Sequence, residues 1–139
     1  MPAISLETAT LLTRVAFLVG AVTDGLAIIP MVSARLGTAL FGGDPSRNTP
    51  AYRFAMGIAA ALMAGWTLLL VWAAVDPLGR LGILLLTVFP VISGIVGATV
   101  AAVRHGIVVR ARVLPLWIHL AVVSASYLLV YALSSPYAH

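Results

Sequence analysis

The chain of 139 residues has no cysteine, no lysine and only four acidic side chains. Without thiols there can be no disulfides, thiolate metal centres, thioether-linked haem or cysteine nucleophile. The charged fraction is 9% against 62% hydrophobic, where soluble domains carry roughly a quarter charged residues. A soluble fold would lack the polar residues to cover its outside, so hydrocarbon must solvate most of this surface. Metal signatures are missing too: there is no His-x3-His pair, no acidic cluster and no His-Glu-x-x-His, and Gly-x-Ser-x-Gly is also absent. Of His105, His119 and His139, only His119 lies inside an apolar run, which argues against bis-histidine haem. Gly42-Gly-Asp-Pro lacks the lysine and the preceding strand of a phosphate loop. No cofactor, metal or nucleotide is indicated, and with no nucleophile–base constellation an enzyme is the least favoured class.

What is present is apolar sequence in four blocks. They run over 15–31 with a start as early as 9, then 54–75, 81–103 and 113–133. Each reaches or approaches the ~20 residues that cross the hydrocarbon core as a helix. In lipid every backbone amide needs an internal partner, so these runs are expected to be helices. The predicted fold is all-α, a single four-helix transmembrane bundle over residues 1–139 with helices at about 9–31, 54–75, 81–103 and 113–133. The link 32–53 is expected to be partly interfacial, with a short helix from Ser33 to Phe41. Asp76-Pro-Leu-Gly-Arg80 is a tight turn that should make the second and third helices antiparallel neighbours. The N-terminus has no basic region ahead of its first apolar run and is expected to be retained rather than cleaved as a signal peptide.

All eight basic residues are arginine, giving a net charge of +4. They flank apolar runs instead of forming a patch with stacking aromatics, so anionic lipid headgroups suit them better than nucleic acid. Arg35, Arg47, Arg53, Arg104, Arg110 and Arg112 fall in the first and third connections; Arg14 and Arg80 fall on the other side. This bias places the first and third loops in the cytoplasm and both termini outside. The arginine- and alanine-rich usage points to a bacterial source, hence to a bacterial inner membrane.

On a helical wheel the first span has a bulky face (Leu12, Val15, Leu18, Val19, Val22, Leu26, Ile29) suited to lipid. The opposite face holds Glu7, Thr10, Thr13, Arg14, Phe17, Gly20, Ala21, Asp24 and Gly25. Small residues allow close backbone approach, which makes Gly20, Ala21 and Gly25 candidate packing positions. Gly57, Ala61 and Gly65 in the second span and Ser93 and Gly97 in the third extend the same pattern.

Asp24 is the most informative position. An ionised carboxylate mid-span is disfavoured by about 2.5–3.5 kcal/mol on insertion scales, so it must be neutral, paired or beside a wet cavity. One reading is a proton or ligand site; the other is a structural hydrogen bond at a helix crossing. His119 should lie at the same depth in the fourth span and is its natural partner, or else it belongs with Trp117 to an interfacial belt. Arg14 is too far along the helix to pair with Asp24. It is expected to snorkel outward or reach Glu7, with an anionic ligand as the alternative. Ser124, Tyr127, Tyr131 and Ser134 form a polar stripe that either continues a track from His119 or bonds helix to helix. Trp66, Trp72, Met56 and Met63 would suit the flanks of a quinone or carotenoid, although core and belt filling is the default.

Thr13-Arg-Val-Ala early in the first span, Pro30 at its end, and Tyr52-Arg-Phe-Ala-Met-Gly57 opening the second resemble the DoxX-like group of small four-helix bacterial membrane proteins. That resemblance implies a membrane subunit or accessory role, in some relatives tied to quinone-coupled redox complexes. Asp24 has no counterpart in the pattern, and no catalytic residue is carried over. The functional expectation is a non-catalytic membrane subunit packing against other membrane chains or itself through small-residue faces. The alternative is a small transporter or proton/ligand channel that uses Asp24 and His119.

Overall fold

The computed structural model describes residues 4–33, 35–37 and 48–138. These residues form four helices long and apolar enough to cross a membrane: α1 (Leu6–Val32), α2 (Pro50–Val75), α3 (Gly82–Arg104) and α4 (Arg110–Ser134). A 3₁₀ turn, Ser135–Tyr137, extends the last. The chain is a multi-pass, all-helical membrane protein.

α1 and α2 start a few residues ahead of their apolar blocks because capping chemistry, not hydropathy, sets those ends. Ser5 accepts the Thr8 N–H at 3.2 Å and starts α1. Thr49 accepts the Tyr52 N–H at 3.2 Å with Pro50 in the first turn, where a missing N–H does no harm. At the far end of α3, Gly106 adopts φ +66, and the Ile107 N–H returns to the Ala102 carbonyl at 2.9 Å. That left-handed C-terminal cap favours glycine. Arg47 and most of the expected interfacial helix lie outside the described residues; within it, residues 35–37 form a helical turn.

α3 is not uniform. It is α-helical over Gly82–Leu86, widens to π over Thr87–Ile92, and returns to α over Ser93–Arg104. Pro90 sits inside the wide turn. Its ring cannot donate a hydrogen bond and crowds the carbonyl four residues back, and local widening accommodates both defects.

α1 makes its most extensive approach to α2 and the next to α4, and α4 packs against each segment of α3. Direct α2–α3 approach is slight, so the tight turn ties their ends together without making them neighbours along their length. The core gathers at the end that holds both termini and this turn. Phe17, Ala21, Leu70, Ala73, Ala74, Leu81, Leu84, Val88 and Tyr127 form one cluster. Toward the opposite end, which holds the two longer connections, burial thins out, and Ser93–Arg104 contains no buried residue. Leu12, Val15, Leu18, Val19, Val22, Leu26 and Ile29 are all exposed, forming a continuous apolar face for acyl chains.

Candidate functional site: a polar crevice between α1, α3 and α4

The α1–α4 seam carries polar contacts in an antiparallel register. At the terminal end the Tyr137 hydroxyl donates to the Ile4 carbonyl. Next, the buried Thr13 and Ser134 hydroxyls and the Ala9 carbonyl form a triangle, with Thr13 2.8 Å from Ala9 O and 2.9 Å from Ser134 Oγ, and Ser134 3.4 Å from Ala9 O. The Tyr127 hydroxyl then donates to the Ala16 carbonyl at 3.1 Å. The step from Ala9 to Ala16 is seven residues, matched by seven back from Ser134 to Tyr127. Eight further residues along α1 and eight further back along α4 give Asp24 and His119, which line the same crevice.

Gly20 makes this seam possible. A Cβ there would run into the Tyr127 hydroxyl and come within 3.2 Å of Leu70 Cδ1. With no side chain at Gly20, the phenol crosses over α1 and reaches the carbonyl one turn earlier.

The crevice has a volume of about 40 Å³. α1 contributes Gly20, Thr23 and Asp24; the π turn of α3 contributes Thr87 and Ile92; α4 contributes His119, Leu120 and Tyr127. Most of its polar side chains are already engaged. The Thr23 hydroxyl reaches the Val19 and Gly20 carbonyls at 3.0 and 2.9 Å, and Thr87 donates to Ile83 at 2.8 Å. Tyr127 is committed to Ala16. Asp24 and His119 are within electrostatic range of each other, and among the described residues neither makes a hydrogen bond. The crevice therefore presents one acceptor-rich carboxyl and one imidazole, facing each other from two helices with free hydrogen-bonding capacity. Asp24 is half-buried, and His119 is exposed.

Arg14 lies elsewhere. Its Nε donates to the Ala74 carbonyl at 3.1 Å, so it neither reaches Glu7 nor faces the crevice. Arg80 donates to the Trp72 carbonyl and lies 3.5 Å over the Trp72 ring. Both arginines thus serve the C-terminal carbonyls of α2, a helix with no basic residue in its own last turn. Cations there satisfy orphan acceptors and complement the helix dipole. Sequence reasoning missed this role, although the uncapped end of α2 was a signal: Arg14 and Arg80 are the cations on that side.

The other candidates separate into closed and open positions. Gly20 and Ala21 are buried, and a Cβ at Gly25 would lie 3.7 Å from Thr67 Cγ2. By contrast a Cβ at Gly57, Gly65 or Gly97 would meet nothing within 4 Å outside its own helix, and Ala61 and Ser93 are exposed. Trp117, expected in an interfacial belt, donates its indole N–H to Thr99 at 2.8 Å and so links α4 to α3. The Trp66 indole N–H is buried without a partner among the described residues. Arg53, Arg104, Arg110 and Arg112 are exposed at the loop end, as is Arg35. Among the described residues no group of three or more potential ligands gathers to hold a metal.

Comparison with protein-family models, with curated proteins and with solved structures gave no match.

Proposed function

We propose that this chain is a small bacterial inner-membrane protein that takes up a proton or the polar head of a ligand at the Asp24–His119 crevice, acting as a transporter or channel. One observation carries this reading. Asp24 and His119, from two different spans, line one crevice, and among the described residues neither makes a hydrogen bond while the hydroxyls around them are committed. An ionisable residue at this depth is a functional candidate by default, and π turns recur at functional sites. In this reading the loop end faces the cytoplasm. Arg14 and Arg80 support that orientation, because both are engaged in capping α2. The exposed Arg53, Arg104, Arg110 and Arg112 of loops one and three then form a cytoplasmic excess that contacts anionic headgroups.

Proteoliposomes loaded with a pH-sensitive dye test the proposal. Asp24→Asn and His119→Gln should each abolish proton flux while leaving the unfolding midpoint within experimental scatter of the parent. Flux at the parental level in both variants would end it.

A second reading has its own support. The open space beside Gly57, Gly65 and Gly97 suits an accessory subunit whose α2 and α3 faces meet another membrane chain, as the DoxX-like resemblance implies. Gly57→Leu with Gly65→Leu should then release a co-purifying chain without unfolding the bundle. A lone monomer in gentle detergent would count against it.

A further inference from the structure

An apolar groove of about 390 Å³ runs between α1 and α4 on the lipid-facing side. Its walls include Leu12, Val15, Val19, Val122 and Val130, and Gly20, Thr23, Val123, Tyr127 and His119 border both the groove and the crevice. The two spaces share these walls, which sets the polar pair beside the lipid-facing groove. On the terminal side the crevice is closed by the packed core around Phe17, Leu70 and Leu84, each with no exposed surface.

We infer that the groove and crevice together bind a neutral single-chain lipid with a hydroxyl head, of the long-chain alcohol class. This rests on the reading of Asp24–His119 as a ligand site and names the ligand's chemistry. Leu12 and Thr23 bound the groove along α1, which at 1.5 Å per residue is about 16 Å. That is half of the ~30 Å hydrocarbon core, the reach of one leaflet's chain. The head must fit about 40 Å³, room for a group of roughly water size. It must also donate to the Asp24 carboxyl and accept from an imidazole N–H. A hydroxyl does both in one small group. A fatty acid would bring a carboxylate against Asp24, and an amine would offer His119 no acceptor. A phospholipid cannot bring its charged head to this depth and would leave only chain ends in the groove.

The test uses a long-chain alcohol bearing a photoreactive diazirine near the hydroxyl and a terminal alkyne, in proteoliposomes of the full chain. Labelled peptides should map to the α1 and α4 residues of the groove. Excess unlabelled alcohol should suppress labelling at least tenfold, whereas an alkane, a fatty acid or an amine of equal length should not. Val122→Trp, at a position 60% exposed to lipid, should block the groove and reduce labelling about tenfold; Val15→Trp repeats the test from the facing helix. Suppression by the alkane as strong as by the alcohol would overturn the inference, as would labelling spread evenly over the lipid-facing surface. Proton flux measured in the same liposomes without alcohol separates the two proposals. Flux lost in Asp24→Asn together with head-independent labelling refutes the alcohol and leaves the polar site standing. Head-specific labelling with flux unaffected by Asp24→Asn supports a ligand site and removes proton transport.

Discussion

The two ends of the bundle are built differently. At the terminal end Phe17, Leu70, Leu84, Thr13 and Ser134 are fully buried, and the Tyr127 and Leu70 side chains pack onto Gly20. At the loop end Gly57 and Gly97 face open space, and an indole-to-hydroxyl bond, Trp117 to Thr99, ties α3 to α4. In lipid there is little hydrophobic drive to bring helices together, because acyl chains are as apolar as leucine; packing and interhelical hydrogen bonds do the work. The terminal end has both. Among the described residues the loop end has fewer buried side chains. The crevice lies where one regime gives way to the other, just past Ala21, the last buried residue of α1.

The largest effect that would break this contrast is steric. Gly20→Leu should destabilise the bundle by about 3 kcal/mol, the upper end for overpacking, read as a drop in the SDS unfolding midpoint in mixed micelles. Next comes the hydroxyl triangle. Thr13→Val with Ser134→Ala, run as a double-mutant cycle, should show coupling of about 0.6 kcal/mol, the average for interhelical hydrogen bonds in a membrane protein. A zero coupling would mean that the terminal end is held by shape alone. Arg14→Gln should lower stability by about 0.5 kcal/mol through the lost α2 cap, and low-salt conditions should enlarge the loss. Smallest of all, Gly57→Ala and Gly97→Ala should leave the monomer's midpoint unchanged. A clear destabilisation by either would show that the loop end is packed after all.

Much of this plan was legible before any coordinates. Run lengths placed the four spans, and helical rise alone put Asp24 and His119 at matching depth, because α1 and α4 are antiparallel and cross the same slab. The wheel of α1 separated its exposed bulky face from Phe17, Gly20 and Ala21. Other features depend on tertiary placement and left a weaker trace. Pro90 signals a disturbed helix, but not that it widens into a π turn aimed at Asp24. Arg14 reads as a snorkelling cation until α2 ends beside it. Gly20 and Gly57 look alike in sequence, yet one is closed by Tyr127 and Leu70 and the other is open; only the crossing of α4 over α1 distinguishes them.

The seam that places Asp24 against His119 can be tested directly because the chain has no cysteine of its own. Paired cysteines at 24 and 119, treated in lipid vesicles with a short thiol-specific bifunctional reagent, should give an intramolecular crosslink as efficiently as a control pair at 13 and 134. A crosslink at the control pair with none between 24 and 119 would contradict the register and, with it, the shared site.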